Sequence, residues 1–285
     1  MNYFEGFYVK CNSETESIAV IFGRNTHKDE SSSFVQIITP EKTYSTFFKD
    51  AEYRFAYGNN FEARVDKNYV DEMGMFLDVK DDDFVACGSV SFGDFSPIKY
   101  DAMGFLKFFP KMECKHTVVS MKHSLEGQIT INGRVYNFNG GVGYIEGDRG
   151  KSFPKKYFWS QCNINDRLCL FVSAAIIPYL GIRFMGTTCV VHFEEKEYRF
   201  ATYLGAKVKI IDEKRLLIKQ GNKTLEVEVI DDITPLPLFA PQSGKMGRTI
   251  FESLMREVNY KMTKGNEILF DIITKTAAHE YSSTE

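Results

Sequence analysis

Gly140-Gly-Val-Gly-Tyr-Ile-Glu-Gly-Asp-Arg-Gly-Lys-Ser-Phe-Pro-Lys-Lys-Tyr-Phe-Trp-Ser-Gln-Cys-Asn163 stands at the middle of a 285-residue chain, and its reading decides the fold. It holds the only tryptophan, Trp159, together with five glycines, the acids Glu146 and Asp148, Arg149 and five aromatics. In extended backbone, alternate residues share a face, which brings Tyr144, Glu146 and Asp148 together. Gly147 and Gly150 permit a sharp bend at the same place. A second copy of an earlier pattern also begins here. Phe7–Asn12 lines up with Phe158–Asn163, and Val35–Tyr44 with Val190–Tyr198. Pro110 and Met112 leading into Ser124–Leu125 match Pro241 and Met246 leading into Ser253–Leu254. Such self-similarity is to be read before anything else.

Outward from the centre, the chain is short apolar runs separated by turns: Phe7–Cys11, Ile18–Phe22, Phe34–Ile38, Thr43–Phe48, Phe61–Val65, Tyr69–Phe76 and Phe84–Phe92. Gln128–Ile131 and Val135–Phe138 flank Asn132–Gly133, the strongest short hairpin signal. Twenty-five Phe and 15 Tyr with 21 Gly favour strands and turns over helices. Many short antiparallel strands without intervening helices need closure or sheet-on-sheet packing. The expectation is an all-β chain of two lipocalin-like barrel or sandwich lobes, residues 1–139 and 140–285, related by an internal repeat. Lobes of that kind can enclose an apolar ligand.

Composition excludes several classes. The net charge of −3 gives no basic footprint for nucleic acid. The best apolar run, Leu168–Leu180, contains Pro178 and is too short for a membrane span. The first residues show no secretory signal, and the six cysteines show no C-x-x-C or framework spacing, so reduced and mainly buried thiols are expected. These features predict a soluble cytoplasmic protein, and nothing in them bears on oligomeric state. Gly150–Lys151–Ser152 is no P-loop, because Ile145 stands where the first glycine belongs. Gly141 and Gly143 do not complete a dinucleotide fingerprint. His116 and His123, seven apart, carry no metal logic. Asp81–Asp83 lacks the rest of a calcium loop.

Two readings of the central motif stand side by side. In one it is a structural corner, with Arg149 pairing an acid. In the other, Glu146 or Asp148 faces an apolar pocket and stays protonated as a general acid. Glu113 and His116 read likewise, either as a hydrogen-bonded structural pair or as an acid and its partner facing a cavity.

Gly143–Pro154 followed by Tyr157–Asn163 resembles the signature of the tocopherol cyclase family. The opening Tyr3–Lys10 is similar to that family's start, with Phe7 where Trp is usual. Phe34–Gln36, Phe109–His116 and the region of Pro241, Met246, Glu252 and Ser253 resemble further landmarks, so the likeness covers nearly the whole chain. It implies a two-lobed lipocalin-like fold related to carotenoid hydratases. It also implies acid-driven, cofactor-independent chemistry, in which a proton adds to a prenyl double bond and a phenol captures the cation. On that likeness Glu146 or Asp148 would be the proton donor. Tyr144, Tyr157 and Trp159 would stabilise positive charge, Gln161 and Asn163 would hold polar ligand groups, and Arg149, Glu113 and His116 would border the ligand. Asp148–Arg149 replaces the Asp-Trp of many relatives. The expected partner is a small apolar, prenyl or lipid-like ligand, and a non-catalytic isoprenoid carrier is the rival function on the same fold.

Overall fold

The computed structural model describes residues 2–28, 30–49, 52–110, 112–164 and 167–283; Lys111, within one of the motifs quoted above, lies outside them. Among the described residues there is no α-helix, only three short 3-10 turns, and no helix long and apolar enough to cross a membrane.

The first twelve strands are β1 (Tyr3–Asn12), β2 (Ser17–His27), β3 (Glu30–Ile38), β4 (Thr43–Phe48), β5 (Tyr53–Ala56), β6 (Glu62–Val65), β7 (Asn68–Asp71), β8 (Gly74–Lys80), β9 (Val85–Phe92), β10 (Cys114–Ile131), β11 (Arg134–Asn137) and β12 (Gly141–Gly150). They form one antiparallel sheet in the order β4-β3-β2-β1-β12-β10-β9-β8-β7-β6-β5, with β11 paired to β10. The remaining strands are β13 (Lys156–Ile164), β14 (Leu168–Tyr179), β15 (Ile182–Phe193), β16 (Lys196–Ala201), β17 (Lys207–Ile211), β18 (Arg215–Gln220), β19 (Lys223–Val229), β20 (Leu236–Gln242), β21 (Lys245–Lys264) and β22 (Glu267–Ser283). Their sheet runs β16-β15-β14-β13-β22-β21-β19-β18-β17, with β20 paired to β21. The two orders match over their first six strands, after which the first sheet adds five strands and the second three. β1 to β4 correspond to β13 to β16, β12 to β22, and β10 to β21, which is the repeat legible in the sequence.

Among the described residues, neither hydrogen-bonded ladder closes into a barrel. The first ends at β4 and β5, the second at β16 and β17. Each sheet instead curls over its own side chains. Phe7, Val9, Phe22, Val35, Leu77 and Ile129 belong to the first core, and Phe158, Leu170, Val191, Ile218 and Tyr260 to the second. The compact units are 1–98 with 116–152 and 238–248, and 99–115 with 153–237 and 249–285. The hairpin residues 238–248 cover β2 and β3 within the first unit. Gln36 donates to the Phe239 carbonyl and accepts from its amide, both at 3.1 Å, and Asn25 donates to the Gly244 carbonyl at 3.0 Å.

Local chemistry explains the turns. Asn132 and Gly133 both take positive φ (49° and 84°), joining Ile131 to Arg134 in the two-residue hairpin expected of Asn-Gly. No disulfide joins any of the six cysteines, and burial pushes the Cys11 thiol up to about 12.

His123 carries a pH consequence. It is 3% exposed, packs its ring against Phe92 and Phe95, and burial holds its pKa down at about 3. The folded value lies below the unfolded ~6.5, so its contribution is complete above pH ~6.5 and is lost as pH falls toward 3. Urea titrations at a series of pH values should show wild type losing roughly 1.4 kcal/mol per pH unit over this range in excess of His123→Gln. Parallel profiles would mean that His123 is protonated in the folded chain.

Candidate functional site

β12 runs straight through the central motif. The strand continues through Gly147 without taking the bend that glycine permits there, and it ends at Gly150. The glycines answer to packing instead. A Cβ at Gly147 would lie 2.7 Å from the Phe7 ring, and one at Gly143 would lie 2.2 Å from His123 Nε2. Rings on the core side therefore press directly on the two residues that bracket Tyr144-Ile145-Glu146. Ile145 joins them in the core, and strand alternation turns Tyr144, Glu146 and Asp148 to the other face.

On that face the Tyr144 hydroxyl donates to Glu146 Oε2 at 2.5 Å. His116, at the start of the neighbouring β10, enters from the side. Its Nδ1 lies 3.2 Å from Asp148 Oδ1 and its Nε2 3.6 Å from Glu146 Oε2. The Glu146 side chain is 8% exposed, that of His116 17% and that of Asp148 23%, so the cluster grades from buried to partly solvated. β1 completes the face, with Tyr8 in register with Glu146 and the wholly buried Lys10 with Tyr144.

The donor atoms of His116, Glu146 and Asp148 all lie within 4.8 Å of one another, close enough to raise the question of a metal. The ring decides against a simple mononuclear set. Its two nitrogens address different carboxylates, so only one carboxylate lies on the side of either lone pair. An imidazole held between two carboxylates suits proton transfer: each nitrogen can accept or donate while the partner acid orients the ring.

The other sequence-predicted residues fall elsewhere. Arg149 points away from the cluster by alternation and lies over the Tyr57 ring at 4.4 Å. Tyr57 donates to Glu5, a buried acid that Tyr3 and Arg24 also bond; burial and the Glu5 charge raise the Tyr57 pKa. Tyr157, Trp159, Gln161 and Asn163 share the β13 face opposite the second core, with Gln161 donating to Asn163 at 2.8 Å. Glu113 lines an open groove of about 390 Å³ with Pro178–Arg183 in the second unit, while His116 takes its carboxylate neighbours from β12.

Glu280 carries no motif in the sequence, yet it repeats Glu146. Tyr8 faces Glu146 across β1 and β12, and Trp159 faces Glu280 across β13 and β22, at positions the repeat makes equivalent. Each acid is buried and accepts a tyrosine hydroxyl, from Tyr144 and Tyr157 respectively. The Glu252–Glu280 register puts a second buried acid beside the second pair.

The fold and this cluster define the class: an all-β protein of two lipocalin-like units, carrying a partly buried carboxylate–imidazole–carboxylate array beside a tyrosine. Residues 83–280 match the model of the tocopherol cyclase-like family, and the chain belongs to that family. Over 120 residues, 40% of the chain, it is 28% identical to a "Probable tocopherol cyclase, chloroplastic" of Oryza sativa subsp. japonica, of whose length it spans 25%. Among solved structures it is similar to a "putative AttH" from Nitrosomonas europaea, with a TM-score of 0.59 and 11% identity over 98% of this chain and 92% of that one. It is also similar to kievitone hydratase from Nectria haematococca, with a TM-score of 0.55 and 11% identity over 99% and 89%. At that identity the two structures bear on the fold alone. They agree with the hydratase-related lipocalin-like architecture that the sequence motifs imply.

Proposed function

We propose that the chain is a cofactor-independent acid catalyst of the tocopherol cyclase type, acting on an apolar, prenyl-bearing phenol. The observation that supports this most is His116 held between Asp148 and Glu146, with the Tyr144 hydroxyl on Glu146. Glu146 holds the proton on its carboxyl and delivers it to one carbon of a trisubstituted prenyl double bond. The electron pair of that bond forms the new C–H bond and leaves a tertiary cation. The phenol oxygen attacks the cation, forming the C–O bond, and the phenolic proton returns to Glu146. Nothing is oxidised or reduced, and the product is an isomer of the substrate. His116, oriented by Asp148 at Nδ1, relays that phenolic proton through Nε2 to the Glu146 carboxylate, so that Glu146 is reset for each turnover. Tyr144 stabilises the Glu146 carboxylate left after transfer.

Trp159, Tyr157, Gln161 and Asn163 are proposed as ligand-binding residues of the second unit. The indole and phenol faces would favour positive charge, and the amides would hold polar groups. Capture of the same cation by water instead of phenol would give a hydratase, the activity named for one fold relative. The test is incubation of the full chain with a prenylated hydroquinone, followed by mass and ultraviolet analysis of the product. A chroman of unchanged mass is expected. Recovery of the hydroquinone intact, bound but unreacted, would make the chain a carrier and overturn the reading.

A further inference from the structure

The second unit exposes an apolar surface that the acid cluster does not use. The distal half of the β14–β15 hairpin, residues 176–185, carries a single charge, Arg183. Its turn is Leu180–Gly181, with φ of 48° and 86°. Asn-Gly or Gly-Gly makes that turn at least cost; here a leucine occupies the left-handed position and is 72% exposed. A strained position occupied by a solvent-facing alkyl group has no value to the core.

The tip is one part of a larger patch. Tyr179 packs on the Phe109 ring at 5.4 Å and Phe109 on Phe105 at 5.9 Å, which sets the 3-10 turn Gly104–Phe108 beside the hairpin. That turn buries none of its residues, and Phe108 is 77% exposed. Phe105 in turn meets Tyr203 at 5.7 Å, so the exposed Leu204 joins the same surface. Lys107 lies 5.2 Å from the Phe108 ring centroid. Lys99, Lys107, Arg183, Lys207 and Lys209 belong to these segments or their immediate flanks, against Glu113 and Asp101, which pairs with Lys107 at 3.5 Å, in a chain whose net charge is −3. The patch therefore has the opposite sign to the molecule.

We propose that this surface docks the protein on an anionic lipid bilayer, with Leu180, Ile182 and Phe108 among the acyl chains and the basic side chains at the headgroups. Exposed aliphatic and aromatic tips flanked by lysine and arginine match both layers of a membrane interface: the apolar groups leave water while long basic stems reach the phosphates. Membrane docking and the acid chemistry can fail separately, because vesicle binding is read without turnover.

The test is co-sedimentation of the full chain with phosphatidylcholine vesicles, with and without one-third phosphatidylglycerol. The chain should pellet with the anionic vesicles and be released by high salt. Phe108→Ser with Leu180→Ser should weaken binding at least about tenfold, and Lys107→Glu with Arg183→Glu should abolish the preference for anionic lipid. Circular dichroism melts identify any variant that fails to fold, and the two pairs stand independently. Failure of the wild type to pellet, or binding unchanged in both pairs, overturns the proposal. So does a wild-type dimer that ignores vesicles and becomes a monomer on Phe108→Ser with Leu180→Ser, since the patch would then be a self-association face.

Discussion

Glu146→Gln is expected to lower cyclisation of a prenylated hydroquinone by roughly 10²–10⁴-fold, the range that a positioned acid contributes. The substitution keeps the shape of the side chain and its capacity to accept the Tyr144 hydroxyl, so the fold should be retained. Glutamine cannot deliver a proton, so the loss should fall on kcat while KM moves little. Asp148→Asn should cost less, because it disturbs the orientation of His116 without removing the donor, and its effect should appear chiefly in the pH profile. Equal activity of wild type and Glu146→Gln would remove Glu146 from the chemistry and direct attention to Glu280, its counterpart in the repeat.

The second large effect is on stability. Phe7 is wholly buried, meets Tyr57 and Phe61 at 4.7 Å ring to ring, and lies beneath Gly147. Phe7→Ala should lower unfolding free energy by about 3–5 kcal/mol, since the lost burial and the cavity add. Phe7→Leu, which keeps most of the volume, should cost far less. Urea titration followed by circular dichroism measures both. A loss under about 1 kcal/mol for Phe7→Ala would show that the ring does not hold the core together. Because Phe7 is the surface against which β12 rests, the alanine variant should also lose activity, whereas Glu146→Gln should lose activity with stability nearly intact.

The strands were legible because pleating has a period of two and the cores keep to it. Phe7, Val9 and Cys11 fall on one face of β1, and Phe158 and Cys162 on the matching face of β13. The same alternation places Tyr144, Glu146 and Asp148 on one face of β12. What could not be read was who meets them. His116 lies far away in sequence and reaches the acids only because β10 pairs with β12, a choice made by tertiary packing. Glu280 is invisible for the same reason, since its kinship with Glu146 appears only once β13–β22 is laid over β1–β12. Gly147 allowed a bend, and the reason for the glycine, the Phe7 ring behind it, lies on β1, distant in sequence but paired with β12. Closure was likewise beyond reach: strand count and length permit a barrel, whereas the open ends at β4 and β5 follow from register.

The most direct measurement is turnover of a prenylated hydroquinone in deuterium oxide, with the product read by mass spectrometry and NMR. Proton delivery to the double bond predicts a chroman carrying one non-exchangeable deuterium at the carbon adjacent to the newly formed ether centre, absent with Glu146→Gln. A chroman without deuterium, or a bound substrate recovered unlabelled, would contradict acid catalysis by this chain.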